Sequence, residues 1–148
     1  MTTLKNQITE VLKATMRAKE MSKLTVIRGL QAAIKQIEID ERIELDDTQV
    51  LAVIEKQIKQ RKESVKAFAG AGRDDLASKE QAEIEILSQF LPEAMTEEEL
   101  DSIIAQTITA QEATSMKDMG KVMNSLRPLI AGRADPAQVS AKIKSKLA

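Results

Sequence analysis

The basic residues near the C-terminus have the types and spacing to bind an anion. Lysine and arginine side chains are the usual contacts to a phosphate backbone, and Lys142 and Lys146 share one helix face at a spacing of four. The candidate nucleic-acid-binding residues are Lys117, Lys121, Arg127, Arg133, Lys142 and Lys146. Lysines near a helix C-terminus also suit the helix dipole, so plain solvated helix faces remain the alternative.

Other side-chain chemistry is excluded by composition. The 148 residues contain no Cys, His, Trp or Tyr, and Phe68 and Phe90 are the two aromatic residues. A thiolate nucleophile, a Ser-His-Asp triad, a disulfide and the usual transition-metal ligands are therefore excluded, and base stacking on an aromatic platform is disfavoured. We predict no catalytic residue, no bound metal and no cofactor.

The acidic cluster Glu97, Glu98, Glu99 and Asp101 suggests a divalent metal site. Successive carboxylates on a helix point in different directions, so they do not converge on one ion. We interpret them instead as acidic residues at the positive end of a helix dipole that begins after Thr96.

Charged residues interrupt two apolar stripes. Arg61 lies in the third stripe and Glu80 in the fourth, with Glu83 one turn further on. A partly buried ion pair from Arg61 to Glu80 or Glu83 explains both interruptions. A paired-carboxylate catalytic site is the alternative, and it lacks any accompanying pocket signal.

The run Gly120-Lys121-Val122 resembles part of a phosphate-binding loop. That motif requires Gly at position 115 and Ser or Thr at 122, whereas the chain has Ser115 and Val122. We interpret Ser115 as a helix cap, with anion binding at that helix end as the alternative. Gly120 interrupts a helical stripe, and we expect it to let a neighbouring backbone approach closely, that of another helix or that of a ligand.

The elements that must position these residues are helices, because apolar residues recur at helical spacing in seven successive stripes. We predict an all-α fold with a larger N-terminal lobe of about four helices, residues 1–92, and a smaller C-terminal three-helix lobe, residues 93–148. Capping patterns begin at Asp46, Thr96 and Asp135. Pro128 is expected to end or kink the sixth helix.

Nothing in the sequence suggests a membrane partner. No apolar run approaches the ~20 residues of a membrane span, and the first residues, Met1 and Thr2 onward, lack the pattern of a signal peptide. We therefore expect a cytoplasmic protein.

Several motifs, in order along nearly the whole chain, resemble the YqeY family. The motifs are Gln60-Arg61-Lys62-Glu63-Ser64, Ala71-Gly72-Arg73-Asp74-Asp75-Leu76-Ala77, Lys79-Glu80 with Ala82-Glu83, Phe90-Leu91-Pro92, Lys117-Asp118-Met119-Gly120-Lys121-Val122-Met123 and Gly132-Arg133-Ala134-Asp135. The second half is also similar to the tail domain of the GatB and GatE subunits of tRNA-dependent amidotransferases.

That resemblance implies an all-helical fold of two lobes and a tRNA-binding accessory module. It also implies a family label of carbon–nitrogen ligase activity with glutamine as amido donor. We interpret that label as inherited from the larger amidotransferases, because the chain has no length for their catalytic domain. The partners it implies are tRNA and an amidotransferase or aminoacyl-tRNA-related protein. The alternatives are a non-catalytic amidotransferase subunit or a protein-interaction module that uses the methionine stripe Met116, Met119 and Met123.

Overall fold

The chain is all-α. The computed structural model describes residues 3–148, so Met1 and Thr2, on which the signal-peptide argument begins, lie outside the described residues. The helices are α1 Leu4–Ala18, α2 Met21–Glu41, α3 Asp47–Gly70, α4 Asp74–Ser88, α5 Glu97–Ala110, α6 Met119–Ile130 and α7 Pro136–Leu147, and a short 3-10 turn, Met116–Asp118, precedes α6. No strand occurs within residues 3–148, which confirms the predicted fold class.

The chain divides into two compact units, one ending at Leu91 and the other running from Pro92 to Ala148. In the N-terminal lobe α3 packs along α4, and α2 packs on α1, α3 and α4. The core residues with no measurable exposure are Ile27, Leu30, Val50, Ile54 and Leu87. The helical stripes predicted these inward faces because buried residues recur every three or four positions.

The C-terminal lobe is a bundle of α5, α6 and α7. Its fully buried side chains include Ile104, Val122, Leu126, Val139 and Ile143. No helix within residues 3–148 combines the length and apolarity that crossing a membrane requires.

Polar side chains cap the helix starts at the predicted places. Asp46 accepts a hydrogen bond from the backbone N–H of Gln49, whose side chain accepts one from the N–H of Asp46, so both groups are satisfied reciprocally. Thr96 caps α5 and Asp135 caps α7, each accepting a backbone N–H through its side-chain oxygen.

The start of α1 depends on a residue far along the chain. The backbone N–H of Leu4 donates to a carboxylate oxygen of Asp47, the first residue of α3, at 2.9 Å. The first N–H groups of a helix have no partner within the helix, and here tertiary structure supplies one of them.

At the end of α1 the inward position is not the one that apolar spacing predicts. Met16 continues the apolar spacing of Ile8 and Leu12, which predicts an inward position, but it is 48% exposed, whereas Thr15 is 3% exposed. The Thr15 hydroxyl donates to the carbonyl of Val11 at 2.7 Å, which lets a polar residue take the inward position.

The sixth helix does not end at Pro128, because α6 continues to Ile130. Proline removes the hydrogen bond to the carbonyl four residues earlier, that of Asn124. Asn124 and Pro128 are both exposed, so solvent can satisfy that carbonyl and the helix completes its last turn.

Candidate functional site

The six predicted nucleic-acid-binding residues fall into two groups. Lys117, Lys121, Arg127 and Lys146 are exposed and have neither an ion pair nor a side-chain hydrogen bond within residues 3–148. Arg133 and Lys142 are half-buried and bind groups of their own lobe. The structure therefore does not present the six as one equivalent set.

Lys117 of the 3-10 turn and Lys121 and Arg127 of α6 are the exposed, unpaired cations in this part of the lobe. Because Val122, Met123 and Leu126 face the core, the helical period turns Lys121, Asn124 and Arg127 outward. We call this surface the α6 outer face; it comprises Lys117, Gly120, Lys121, Asn124 and Arg127.

No other helix packs closely against Gly120 in the described structure. A Cβ placed on Gly120 would meet nothing within 4 Å in the described structure. The expectation that it lets another part of the chain approach closely is therefore wrong, and the glycine leaves the α6 outer face open.

Asp118 shapes the turn that presents Lys117. Its carboxylate accepts hydrogen bonds from the backbone N–H groups of Thr114 at 3.0 Å and Ser115 at 3.4 Å. The bond from Thr114 and that from Ser115, with the charge of Lys121, hold the pKa of Asp118 below its ordinary value. The lowered pKa favours the ionised form of Asp118, whose carboxylate holds the start of the 3-10 turn through these two hydrogen bonds.

Lys142 is bound within the lobe by two carboxylates of α5. Its Nζ donates to Glu97 at 2.6 Å and to Asp101 at 2.7 Å. These hydrogen bonds, that to Asp101 first, raise the pKa of Lys142 and lower the pKa of both acids. The acidic residues predicted only as partners of the helix dipole therefore neutralise a predicted phosphate contact.

Arg133 joins the segment before α5 to the turn before α7. Its Nε donates to the carbonyl of Glu93 at 2.9 Å, and its Nη2 lies 3.4 Å from a carboxylate oxygen of Glu99. Its own carbonyl accepts the N–H of Met95 at 3.0 Å. These contacts give Arg133 a structural role, and a further role in binding nucleic acid stays a prediction.

Lys146 lies on the same acidic flank as Lys142. Its charge contributes to lowering the pKa of Asp101, although the two make no ion pair. Among the six predicted residues, those without an acidic neighbour on α5 are therefore Lys117, Lys121 and Arg127 of the α6 outer face.

The methionine stripe is divided between core and surface. Met123 is 9% exposed and Met119 packs against the core of the lobe, whereas Met116 is 45% exposed. Core packing accounts for two of the three, which leaves little apolar surface for a protein partner.

A second charged cluster lies in the N-terminal lobe, where α3 meets α4. Nη1 of Arg61 lies 3.4 Å from Glu80 and also hydrogen-bonds to Glu83. The three side chains are 26%, 22% and 17% exposed, in that order. The predicted ion pair is confirmed, and Arg61 meets both of the candidate acids rather than one.

Sequence reasoning missed a third cluster, between α1, α2 and the loop after α2. Glu38 accepts from Nζ of Lys5 at 2.8 Å and from the N–H of Leu45 at 2.8 Å. The bond from Lys5, followed by that from Leu45, lowers the pKa of Glu38, and the same bond raises the pKa of Lys5. No local pattern signals a pair 33 residues apart, although both residues flank apolar stripes.

Comparison with known proteins gives a family match over residues 5–147, to the model described as "Yqey-like protein". A relative from Pyrenophora tritici-repentis is 34% identical over 136 residues, which cover 90% of this chain and 75% of the relative. A relative from Kluyveromyces lactis is 35% identical over 144 residues, covering 91% and 77%. Both relatives bear the name "Altered inheritance of mitochondria protein 41, mitochondrial".

These names overturn two expectations. The chain was expected to be an accessory module related to tRNA-dependent amidotransferases, but the relatives are not named as amidotransferase subunits, so that assignment is wrong. A cytoplasmic location was also expected, and it conflicts with relatives that are named as mitochondrial. The cytoplasmic location was expected from the lack of a signal-peptide pattern and of a membrane span. Neither feature distinguishes a cytoplasmic protein from a mitochondrial one.

Proposed function

We propose a non-catalytic, nucleic-acid-binding role for this chain, which belongs to the YqeY family: the α6 outer face binds the phosphate backbone of a folded RNA. The proposal includes no amidotransferase chemistry and no place in such an enzyme. The observation that carries it is the group of three exposed cations, Lys117, Lys121 and Arg127, without an ion-pair partner within residues 3–148.

The surroundings of these cations favour a polyanion over a protein surface. Protein interfaces bury a core of aromatic and large aliphatic side chains. The α6 outer face carries cations, a glycine and an asparagine, with exposed Pro128 and Leu129 at the C-terminal end of α6. The two aromatic residues of the chain, Phe68 and Phe90, both belong to the other lobe. Such a face can neutralise phosphates and donate hydrogen bonds, and it has no aromatic side chain on which bases could stack.

The shape of the face also suits a backbone ligand. A Cβ on Gly120 would meet nothing within 4 Å, and Asn124 is exposed one turn of α6 after Lys121. Lysine and arginine at phosphates position an RNA without reading its sequence. We therefore expect binding that depends on RNA shape and on salt rather than on sequence.

The test is a mobility-shift titration of the full chain with bulk tRNA as the probe, over a series of salt concentrations. The triple variant Lys117→Ala, Lys121→Ala, Arg127→Ala removes three cations from the face. We expect at least tenfold weaker binding at low salt and a slope of log K against log salt that is smaller by about 2 to 3, because each phosphate contact releases about one counterion.

A matched control removes the same charge from the other lobe. Lys59, Lys62 and Lys66 of α3 are exposed and have no ion pair within residues 3–148, so their triple alanine variant has the same net charge as the α6 variant. The proposal requires that this control binds like the unaltered chain. Equal losses in both variants, or no binding of the unaltered chain at low salt, contradict it.

A further inference from the structure

The turn between α1 and α2 is flanked by two exposed methionines that the proposed function does not use. Met16 is 48% exposed and Met21 is 65% exposed, the largest value of any large apolar side chain in the described part of the chain. The inward positions at the end of α1 and in the first turn of α2 are filled by Thr15 and Leu24, both buried. Packing within the lobe therefore does not account for an apolar side chain at either exposed position.

A short turn brings the two methionines to one corner of the lobe. The turn consists of Lys19 and Glu20, and the N–H of Glu20 donates to the carbonyl of Thr15 at 3.3 Å. The N–H of Lys19 also donates to the carbonyl of Met16, at 3.2 Å. These bonds hold the residue before Met21 beside the residue before Met16, so both methionines lie at the same corner.

The same corner has an excess of positive charge. Residues 13–23 contain four cations and one acid. Arg17 and Lys19 are exposed and have no ion pair within residues 3–148. Lys13 and Lys23 lie 3.5 and 3.9 Å from one exposed carboxylate each, and such solvated pairs are screened by water. The corner therefore attracts an anionic surface.

We propose that the α1–α2 corner, which comprises Met16, Arg17, Lys19 and Met21, binds the surface of an anionic lipid bilayer. The flexible methionine side chains enter the boundary between headgroups and acyl chains, and the two cations contact lipid phosphates. Lysine and arginine can lie along an apolar surface while their charged ends reach the headgroups. Such binding needs no helix that crosses the membrane, and it is independent of RNA binding at the α6 outer face.

The combination of cations and exposed methionines favours a bilayer over RNA or a protein. An RNA backbone pairs with the cations but leaves the methionines in water. A protein interface of standard size buries about 800 Å² per partner around aromatic and large aliphatic side chains, and the corner has two methionines and no aromatic residue. The other end of α2 provides a comparison, because Ile39 and Ile43 are exposed there while residues 38–47 contain six acids and one cation. An anionic bilayer repels that end.

The test is co-sedimentation of the full chain with vesicles of phosphatidylcholine alone and with vesicles that also contain phosphatidylserine. We expect binding to the mixed vesicles that weakens with added salt, and no binding to phosphatidylcholine alone, because each basic residue near an anionic surface raises the affinity about fivefold. Equal binding to both kinds of vesicle, or none to the mixed vesicles at low salt, overturns the proposal.

A methionine variant tests the apolar part of the surface. Met16→Gln with Met21→Gln keeps the length of both side chains and removes their apolar ends, and we expect binding to the mixed vesicles to weaken roughly tenfold or more. The matched control, Ile39→Gln with Ile43→Gln, changes two exposed apolar residues at the other end of α2 and should bind like the unaltered chain. Equal losses in the two variants, or no loss in the methionine variant, contradict apolar insertion at this corner.

A charge variant separates lipid from RNA. Arg17→Gln with Lys19→Gln should weaken vesicle binding about 25-fold and leave tRNA binding unchanged. Lys59→Gln with Lys66→Gln removes the same charge from exposed positions of α3 and should leave vesicle binding unchanged. If the variant of the corner loses tRNA binding and keeps vesicle binding, or if both variants lose vesicle binding equally, the corner does not bind lipid specifically and the proposal fails.

Discussion

Each lobe holds a cation between two carboxylates of a neighbouring helix, and the two clusters differ in burial. In the N-terminal lobe Arg61 lies between Glu80 and Glu83, whose side chains are 22% and 17% exposed. In the C-terminal lobe the two acids that bind Lys142 are 68% and 52% exposed. The acids are therefore half-buried in one lobe and largely solvated in the other, whereas the two cations are similarly exposed, 26% for Arg61 and 22% for Lys142.

The difference shows that burial, and not the number of ion pairs, decides what such a cluster contributes. Solvated pairs are screened by water and salt and contribute little to stability. Removing one partner of a buried pair leaves an uncompensated charge and is strongly destabilising. Arg61 should thus matter for the fold, whereas Lys142 mainly sets the charge of its surface.

Replacing Arg61, whose two carboxylate partners are half-buried, should have the largest effect. We expect Arg61→Met to lower the free energy of unfolding by about 2 kcal/mol, less than for a fully buried pair because the cluster is partly exposed. Urea unfolding followed by circular dichroism measures this change.

A control separates lost charge balance from lost packing. In the triple variant Arg61→Met, Glu80→Gln, Glu83→Gln no charge is left unpaired, and much of the stability should return. If Arg61→Met alone is neutral, or if the triple variant is the less stable of the two, the contrast in burial does not govern stability here.

Two glycine-to-alanine substitutions, one in each lobe, show how much an uncharged change alters the free energy of unfolding. Gly29 in the middle of α2 and Gly120 near the start of α6 are exposed, and a Cβ on either meets nothing within 4 Å. We expect Gly29→Ala to stabilise the chain by about 1 kcal/mol and Gly120→Ala by about 0.5 kcal/mol, because alanine restricts the unfolded backbone more than glycine does. Denaturant unfolding compares the two, and a loss of stability in either variant would contradict the open space around these glycines.

The solvated cluster should have the smallest effect, visible as a change in pH dependence. The hydrogen bonds from Lys142 lower the pKa of Glu97 and Asp101 below their ordinary values of 4.5 and 3.8. A depressed carboxyl pKa stabilises the fold above those values, and this contribution is lost as the pH falls through the lowered pKa. Stability of the unaltered chain should therefore decrease on acidification through this range.

Lys142→Met removes the cause of the depressed pKa values, so its stability should fall less steeply between neutral pH and acid. Thermal unfolding at a series of pH values measures this slope, and added salt should reduce the difference between the two proteins. Identical slopes at low salt would mean that the cluster is not formed in solution.

Sequence reasoning found the buried cluster and missed the solvated one for a physical reason. Arg61 and Glu80 interrupt apolar stripes, so a charge at an inward position demands a partner. Glu97 and Asp101 lie on a polar helix face. A charge there is solvated by water and needs no protein partner, so the sequence predicts no contact for it. For the same reason, the prediction that Lys142 contacts phosphate did not include its ion pairs with Glu97 and Asp101.

The helices themselves were largely predictable because apolar period and capping residues agree, as at Asp46 and Thr96. The exceptions depend on single hydrogen bonds that composition does not reveal. Thr15 replaces Met16 at an inward position because its hydroxyl bonds the preceding turn, and α6 passes Pro128 because the freed carbonyl faces solvent. The pair of Lys5 and Glu38 depends on how α1 and α2 pack, which no local pattern specifies.

The contact between Leu4 and Asp47 also has a consequence for the order in which the N-terminal lobe is assembled. The opening amide of α1 has its acceptor only once a residue 43 positions later is in place. The hydrogen bond of this amide therefore requires that α3 is docked beside the start of α1. Amide exchange at Leu4 should accordingly report the docking of α3, although the amide belongs to α1.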